Sequence, residues 1–440
     1  MAMVVKNNIG AKNTLNELDK NNKAAAKDLK KLASGMRINS AADDASGYAI
    51  SDRMDVQIRS LEQDNQNSQN GSAMLKTAEG ALSSTVDILR TLKEKVINAA
   101  NDTNTDADRA TIQKELDQAV DQIDDNANVT YNGQQLIDGS QNSLVLDPGT
   151  QTTFANMSLA EGTSSSTTRL TAMKERCGNS LGIQIGDTIT VSYVKNGRTD
   201  THSLVVGRNS TLASVFTSRQ MQDVMSVPYN PSRPNYIGQN QYGEAVYTPD
   251  GGSAVVYKAR ETGLDGQVAG LTFQVVRSDG TINKTASGKL DDFQEVVRAQ
   301  DPSPDNAISF QVGTRSNQTV RIGLTDMSAT ALGLRAKDGT TLNIRTQENA
   351  RAAINVLDNA LGKALDEQTK IGSVTSRLGY TSANIVTSSE NTQASKSVIQ
   401  DADMAATMTS YTKNNVLTQA AQAMLAQANQ SSSSVLSLLQ

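Results

Sequence analysis

Few side chains in this chain are of the types that usually carry out chemistry. Its 440 residues contain one histidine, His202, and one cysteine, Cys177. A zinc peptidase of the His-Glu-x-x-His kind places two imidazoles one helical turn apart, so a single histidine excludes that site. A single cysteine excludes an internal disulfide and a cysteine-ligated metal cluster. The sequence therefore predicts a protein that is not an enzyme and that holds no cofactor or metal.

The paired acids and the overall charge indicate no other kind of site. Asp43-Asp44 and Asp124-Asp125 fit the start of a helix and a solvated helix face better than acid–base catalysis. The net charge is −5, so we expect no nucleic-acid-binding surface. No apolar run reaches the length of a membrane span, so we expect no membrane insertion. The amino terminus is too poor in apolar residues for a signal peptide. These rules alone favour a cytoplasmic protein.

The positions of the helix-breaking prolines predict the secondary structure of the chain. All seven prolines lie between Pro148 and Pro304, and a proline costs about 3 kcal/mol inside a helix. Long helices are therefore expected at both ends of the chain, with a mixed region between them. All five phenylalanines lie between Phe154 and Phe310. With so few aromatic residues and no tryptophan, we expect cores of Ala, Leu, Ile and Val rather than a large aromatic-centred core.

A heptad repeat predicts the first helix. Its apolar residues follow alternating steps of three and four, the spacing by which one helix packs along another. Ser34-Gly35 is a suitable end for this helix. The series consists of Leu15, Leu18, Ala25, Leu29, Leu32 and Met36, with Asn22 as its polar member.

Two more helices and a hairpin are predicted before the first proline. A second helix should begin near Asp43 or Asp44 and run to about Ala100, with a third after a break at 101–105. Asn132-Gly133 between short strands predicts a tight hairpin. The apolar stripes of these helices are Leu75, Leu82, Val86, Leu89 and Val96 in the second, and Ile112, Leu116, Val120 and Ile123 in the third.

The carboxyl-terminal part mirrors this arrangement. One heptad register runs from Ala350 to Ile385, and a last helix has a narrow apolar stripe between Leu417 and Leu438. An isolated helix with so narrow a stripe is marginal, so each end of the chain needs a partner, either the other end or further copies. The mirrored stripes favour antiparallel pairing of the two ends.

The middle of the chain is predicted to be a compact α+β module. Residues 183–193 alternate as a half-buried strand, and 254–257 and 271–276 are further strands. Two short helices are expected at 210–225 and 291–300. The stretch from Val227 to Pro249 is predicted to be a long surface loop.

Sequence motifs at both ends resemble those of bacterial flagellins. LASGMRINSAADDASGYAISDRM at 32–54 is similar to the family's amino-terminal signature. QDADM at 400–404, QAAQAMLAQANQ at 419–430 and VLSLL at 435–439 are similar to its carboxyl terminus. FQVG at 310–313 and LGL at 332–334 resemble the motifs where the family's inner domain resumes. The resemblance covers about residues 1–140 and 307–440.

The resemblance implies a fold and a domain organisation. The fold has mainly α terminal regions, an antiparallel coiled coil or helical bundle built from both chain ends, with an inserted α+β outer domain. Residues 1–40 and 401–440 would form the inner helical core, and 41–140 and 307–400 the surrounding helical shell. Residues 141–306 would be the variable, surface-exposed domain.

The resemblance also implies a function and partners. Flagellins are exported unfolded through the flagellar export apparatus and polymerise into the extracellular filament used for motility. The absence of a signal peptide is uninformative for that route, so the cytoplasmic reading is replaced by a secreted one. The implied partners are further copies of the chain, the filament cap, the hook-associated junction proteins and an export chaperone. We expect the apolar seams to bury on assembly, led by Leu15, Leu18, Leu29, Leu32, Leu417, Met424, Leu425 and Leu438.

The flagellin-sensing toll-like receptor is one further partner that the resemblance suggests. Arg90 and Glu115 lie near the positions that this receptor contacts in many family members. Thr91 and Lys95, however, depart from the recognised Arg-x-Arg-Glu-Leu pattern. Recognition of this chain is therefore an open question.

Two alternative functions and one covalent modification stay open at this point. A hook–filament junction protein shares the helical ends, although the Val-Leu-Ser-Leu-Leu ending and the length favour a flagellin. The insert could be an adhesin or glycan-binding module whose tyrosines stack on sugars, but tyrosines in a loop more often pack or contact solvent. The run 163–168 could accept O-linked sugars or serve as a flexible joint. The tyrosines in question are Tyr229, Tyr236, Tyr242 and Tyr247.

Overall fold

A computed structural model describes residues 8–160, 163, 167–217, 219–226, 235–249 and 251–438. The chain divides into two compact units. The terminal unit comprises residues 1–68, 311–318 and 380–440, and the central unit comprises residues 69–310 and 319–379. Helices α2 and α8 each contribute to both units.

Long helices form both ends of the chain, and the middle is mixed, as predicted. Among the described residues, no helix combines the length and apolarity that crossing a membrane requires. The α-helices are α1 (Ile9–Ser34), α2 (Ala45–Ala99), α3 (Asp106–Ala127), α4 (Leu212–Val215), α5 (Arg219–Val224), α6 (Lys284–Leu290), α7 (Ala329–Leu332), α8 (Gln347–Gln400) and α9 (Met404–Leu438).

The strands form small sheets, almost all of them in the central unit. Three-stranded sheets have the orders β10-β3-β8 and β5-β4-β9, and β1-β2, β6-β7 and β11-β12 form two-stranded sheets. The strands are β1 (Thr130–Tyr131), β2 (Gln134–Gln135), β3 (Thr153–Asn156), β4 (Thr188–Lys195), β5 (Arg198–Val205), β6 (Tyr236–Gln239), β7 (Ala245–Tyr247), β8 (Val255–Lys258), β9 (Val268–Val276), β10 (Gln294–Val297), β11 (Ile308–Gln311) and β12 (Thr319–Ile322).

Local chemistry sets the helix ends where the sequence predicts them. α1 ends at Gly35, whose left-handed backbone (φ 70°) lets its N–H reach the carbonyl of Lys31 at 2.9 Å. Near the start of α2, the Asp44 carboxylate accepts a hydrogen bond from the N–H of Gly47 at 2.9 Å. Thr105 and Asp108 form a reciprocal capping box at the start of α3. The predicted hairpin is also present, since Asn132 and Gly133 both have positive φ, as a type I′ turn requires.

The helices of the central unit pack along the predicted stripes. The five stripe residues of α2 are at most 2% exposed, and Leu116, Val120 and Ile123 of α3 are equally buried. In α8, Leu357, Ala364 and Ile371 are fully buried. Ile112, the remaining predicted residue of α3, is only partly buried, so the heptad pattern identified most of the core-facing residues of these helices.

The strand predictions were right in position but not in extent. In β4, Ile189, Val191 and Tyr193 are buried as predicted. The strand begins only at Thr188, because the Asp187 carboxylate accepts from the N–H of Gln184 at 2.8 Å and closes a turn before it. Ile185 is consequently exposed. In the predicted 227–249 loop, β6 and β7 pair as a hairpin, while 227–234 lies outside the described residues.

The helix predicted at 291–300 is wrong. The helix there is α6, which begins earlier because the Asn283 side chain accepts from the N–H of Ala286 at 3.2 Å. It ends before Asp291, whose carboxylate accepts from the N–H of Phe273 at 2.9 Å. Residues 294–297 instead form β10, which pairs with Phe154 and its neighbours in β3.

The α+β module formed by residues 141–306 is called here the outer module. An aromatic cluster at its centre contradicts the expectation of a purely aliphatic core. Phe216 stacks on Tyr257 with ring centroids 4.4 Å apart, and Phe293 meets Tyr257 edge-on at 4.7 Å. Phe273 lies 5.3 Å from Phe293. The few aromatic residues of the chain are concentrated in this one module, so a low overall content did not prevent an aromatic core.

Side-chain amides of α8 attach the outer module to the helices of the central unit. Asn355 donates to the carbonyl of Leu271 at 3.1 Å, and Asn359 donates to the carbonyl of Ala269 at 2.9 Å. β9 lies at the edge of its sheet, so these amides satisfy carbonyls that no strand pairs on that side. Gly270 allows this approach, because a Cβ there would lie 2.8 Å from a methyl group of Val356.

Candidate assembly interface

The two ends of the chain pair as antiparallel helices, as the mirrored stripes predict. Near the start of α1, Asn8 donates from Nδ2 to the carbonyl of Ala428 at 3.2 Å. Closer to its end, Asp28 accepts from Nδ2 of Asn414 at 2.8 Å. Beyond the end of α1, Met36 forms an antiparallel bridge with Asp401. As the residue number increases along α1, the residue number of its partner on α9 decreases, so the two helices are antiparallel.

The carboxyl end of α1 and the amino end of α9, called here the roots of the two helices, are held together mainly by backbone groups. The N–H of Arg37 donates to the carbonyl of Gln400 at 2.7 Å, and the N–H of Ala402 donates to the carbonyl of Gly35 at 2.9 Å. The Arg37 guanidinium donates to the carbonyl of Ile399 at 2.6 Å, at the carboxyl end of α8. A cation is favoured at that end by the helix dipole. We call these contacts the root clasp.

The side chains that face each other in the pair form a heptad stripe on each helix, called here the contact stripe. Its residues are partly buried, apart from the buried Ala421, whereas those on the opposite sides of both helices are exposed. The stripe consists of Ala11, Thr14, Leu18, Asn21, Ala25, Asp28 and Leu32 on α1, and of Thr407, Tyr411, Asn414, Thr418, Ala421, Leu425 and Ala428 on α9.

The predicted seam residues divide between the contact stripe and the free surface. Leu18, Leu32 and Leu425 lie in the contact stripe. The side chain of Leu438 lies outside the described residues. The remaining four are exposed by 52% (Leu15), 49% (Leu29), 40% (Leu417) and 63% (Met424).

The face of α1 that meets α9 therefore differs from the leucine-rich face that the sequence emphasises. Both stripes share Leu18, Ala25 and Leu32, but the structure replaces Leu15 and Leu29 with the smaller or polar residues next to them. Small side chains allow two helices to approach closely, and Asp28 accepts a hydrogen bond from Asn414 across the contact. Leu15 and Leu29 therefore remain exposed beside the contact stripe. Together with the exposed Leu417 and Met424 of α9 they form a set that we call the free seam.

Within one chain this pair buries little. No residue of α1 from Ile9 to Ser34 is buried, and Ala421 is the single buried residue among 404–430 of α9. Met408, Val416 and Leu417 line a shallow, mainly apolar groove on α9. Helices with an exposed apolar side and no buried core are marginal alone.

Elsewhere in the terminal unit, polar contacts join α2 to α8. Asp55 forms an ion pair with Lys396, and Ser382 donates to the Asn65 side chain at 2.6 Å. The hydrogen bond from Lys396 holds the pKa of Asp55 below its ordinary value of 3.8. None of these residues belongs to a sequence pattern, so the sequence alone does not identify them as partners.

Arg90 and Glu115, the expected receptor contacts, lie on α2 and α3 of the central unit. Arg90 pairs with Asp87 at 3.0 Å on an exposed helix face. Glu115 pairs with Lys95 at 3.0 Å, so a residue that departs from the family pattern also occupies the Glu115 carboxylate.

The residues that could do chemistry lie apart from any recognisable catalytic arrangement. His202 lies in β5 opposite Val191, and Cys177 is exposed. The letters GNSLG at 178–182 match the spacing Gly-x-Ser-x-Gly, but Ser180 forms an isolated bridge with Lys174 rather than a strand-to-helix turn. Among the described residues, no three His, Cys, Asp or Glu side chains are grouped so as to hold a metal.

A cleft of about 690 Å³ in the central unit has a buried ion pair in its wall. The Lys363 ammonium lies 3.3 Å from Oε2 of Glu295, and both side chains are at most 5% exposed. Burial raises the pKa of Glu295 and lowers that of Lys363. Oε1 of Glu295 has no hydrogen-bond partner in the described part of the chain. This pair joins β10 to α8, and we interpret it as structural.

The tyrosines considered for sugar binding are divided by their contacts. Tyr236 and Tyr247 pack edge to face across the β6-β7 hairpin, with ring centroids 6.2 Å apart. Tyr242 is exposed near the tip of that hairpin. Tyr229 lies outside the described residues, as do 164–166 of the serine and threonine run. Packing accounts for Tyr236, whereas Tyr247 is 50% exposed despite its ring contact.

Comparison with known proteins agrees with the motifs at both ends. Residues 5–142 match the bacterial flagellin N-terminal helical region, and residues 354–439 match the bacterial flagellin C-terminal helical region. A flagellin of Clostridium tyrobutyricum is 35% identical over 434 residues, covering 97% of this chain and 99% of that protein. This chain belongs to the bacterial flagellin family.

A second relative, a flagellin of Bacillus subtilis, is 30% identical over 441 residues and is covered completely. The flagellar junction protein of Legionella pneumophila is 14% identical with a TM-score of 0.33, covering 80% of this chain and 99% of the other, which is too weak a likeness to bear on the fold. The full-length flagellin matches favour a filament subunit over a junction protein. This flagellin is therefore a structural subunit of the bacterial flagellar filament, which serves motility.

Proposed function

We propose that copies of this flagellin join head-to-tail through the α1/α9 pair. Contacts between surfaces that are not self-complementary generate an open helix rather than a closed ring. In this arrangement residues 1–40 and 401–440 form the inner core of the filament, and 141–306 faces solvent. The long helices of 41–140 and 307–400 supply lateral contacts between copies.

One observation carries this proposal: the free seam remains exposed after α1 and α9 have paired. Full burial of a leucine or methionine side chain is worth about 1.5–3 kcal/mol. At full burial, four such residues contribute about 6–12 kcal/mol in each copy. Ordering the two helices costs about 1–2 kcal/mol for each residue that is fixed, so the seam offsets part of that cost and the contacts inside the pair offset the rest. The seam therefore favours association over an isolated chain.

Assembly of the purified full chain tests the proposal, with a variant that lacks residues 1–40 and 401–440 as the comparison. Sedimentation and negative-stain microscopy should show long filaments from the full chain and none from the truncated one. A full chain that stays monomeric when seeded with filament fragments would overturn the proposal.

Further partners follow from membership of the family and are part of the same proposal. The chain is exported unfolded through the flagellar export apparatus with the help of a chaperone, and it assembles beneath the filament cap on top of the junction proteins. Its role is mechanical and involves no catalysis. The toll-like receptor binds it weakly, because Lys95 occupies the Glu115 carboxylate. A receptor-reporter assay in which Lys95→Ala leaves the response unchanged would contradict that last point.

A further inference from the structure

The free seam exists only because α1 presents a particular face to α9. The leucine-rich face of α1, which includes Leu15 and Leu29, lies directly beside the contact stripe. A modest rotation of α1 about its axis would turn those leucines towards α9 and bury them within one chain. Burial of apolar surface favours that rotation, so another interaction must oppose it.

The root clasp does not select the face. Its bonds join backbone groups at 35, 37, 400 and 402, together with the Arg37 side chain. Backbone groups form these bonds whatever side chains follow along the helices. The clasp therefore holds the roots of α1 and α9 together but leaves the rotation of α1 to contacts further along the pair.

Asn8, at the start of α1, donates to a backbone carbonyl of α9, which any residue at 428 would offer. A hydrogen bond between two side chains lies about two turns of α1 from the clasp. Asp28 and Asn414 are both members of the contact stripe, are partly buried, and approach to 2.8 Å. Asp28 is the acidic residue among the stripe positions of α1. A charge-assisted bond of this kind is stronger than a neutral one, and a polar residue within a helical seam can fix register at a cost in stability.

We infer that the Asp28–Asn414 pair is a positioning device that holds α1 in the rotation that keeps its leucines outward. Turning the leucines inward would break this bond and leave a partly desolvated carboxylate and amide unpaired. The pair thus keeps Leu15 and Leu29 available to neighbouring copies. This inference rests on the proposed function, because the free seam matters only in a polymer.

A four-protein cycle on the full chain tests the pair, read as the critical concentration for seeded assembly. The proteins are wild type, Asp28→Asn, Asn414→Asp, and the double variant with the two groups exchanged. Asn414→Asp places two carboxylates face to face and should raise the critical concentration about tenfold. The exchanged double variant restores a carboxylate–amide bond and should return it to within about threefold of wild type.

The outcomes of the cycle are distinct from failure of the proposed function. Wild type that does not assemble when seeded overturns the proposed function itself. Wild type that assembles, with Asn414→Asp behaving identically or with the exchanged variant no better than Asn414→Asp alone, overturns only the positioning role. A merely local packing effect would not be repaired by exchanging the two groups.

A reversible covalent bond at the same place gives an independent reading. In a Cys177→Ser background, Asp28→Cys and Asn414→Cys remove the hydrogen bond when reduced and replace it with a disulfide when oxidised. Oxidised protein should assemble like wild type, and the same protein after reduction should need a severalfold higher concentration. The inference is wrong if the oxidised and reduced proteins assemble alike.

Discussion

Leu29 and Leu425 act at the scale of single residues, one on the free seam and one in the contact stripe. Replacing either with aspartate puts a charge where burial is required, and an unpaired buried charge is far more costly than a lost apolar contact. We expect Leu29→Asp and Leu425→Asp to give unassembled monomer in the supernatant after sedimentation. The central unit should stay folded by circular dichroism, because neither residue belongs to it.

The control for these variants is Asn16→Asp, which adds the same charge at an exposed position on the other side of α1. It should assemble like wild type. Filaments from Leu29→Asp at the wild-type concentration would show that the free seam does not join the copies.

The Glu295–Lys363 pair also acts at the residue scale, but on stability. Lys363→Met leaves a buried carboxylate without its partner, and breaking a buried pair in this way costs about 3–5 kcal/mol. The double variant Lys363→Met with Glu295→Gln removes both charges and should recover most of that loss. Urea unfolding of the full chain, followed by intrinsic tyrosine fluorescence, measures both. Equal stability of the single and double variants would mean that the pair contributes nothing as a pair.

At the scale of elements, the packing of α8 on the edge of β9 ties the outer module to the helices. A side chain at Gly270 would push against Val356, and overpacking of this kind costs about 1–3 kcal/mol. Gly270→Val should therefore lower the thermal midpoint and increase hydrogen exchange at the β9 amides. Gly362→Ala is the matched control, since no atom lies within 4 Å of a Cβ at that helical position, and it should be neutral or stabilising. Unchanged exchange in Gly270→Val would refute the close approach.

The contact between α2 and α8 in the terminal unit should depend on pH. The hydrogen bond from Lys396 on α8 lowers the pKa of Asp55 on α2 from its ordinary value of 3.8. Lowered carboxyl pKa values contribute stability that is present above pH 3.8 and is lost as the pH falls through the folded-state values. Helical circular dichroism of the full chain, titrated from about pH 6 to pH 2, should fall less steeply in Asp55→Asn than in wild type. A variant with the same acid profile as wild type would exclude this pair as a source of the pH dependence.

At the scale of the whole molecule, the outer module is an insertion whose ends lie side by side. The N–H of Val145 donates to the carbonyl of Ser303 at 3.0 Å, and the reverse bond is 3.2 Å long. A short Gly-Ser linker in place of 146–302 should therefore leave the remaining helices able to fold. We expect this variant to form filaments that are thinner than those of wild type in negative stain.

The excised variant exposes the side of α8 that β9 covers, so Asn355→Ser and Val356→Ser are added to limit aggregation. A second variant, in which the linker connects Thr150 directly to Gln300, controls for the choice of the two residues that are joined. Those two residues also form a bridge. If both variants are helical but neither assembles, the outer module takes part in polymerisation.

Much of this fold was predictable because it depends on neighbours in sequence. The ends of α1, α2 and α3, the hairpin at Asn132-Gly133 and the buried stripes of the long helices all follow from capping, turn chemistry and heptad spacing. The pairing of the two chain ends followed from their mirrored patterns. The family followed from motifs at both ends, and with it the filament function.

The remaining features depend on contacts between residues distant in sequence. Gln294–Val297 became a strand because β3 was available to pair with it, and the aromatic residues met because the module folds around them. The contact stripe of α1 is the clearest case, since two adjacent faces both carry a heptad pattern and hydrophobicity favours the leucine-rich one. The face that meets α9 instead contains Asp28, because Asp28 accepts a hydrogen bond from Asn414 on α9. That partner lies 386 positions away in the sequence. No periodicity within α1 reveals a partner on another helix, so that choice belongs to the tertiary structure.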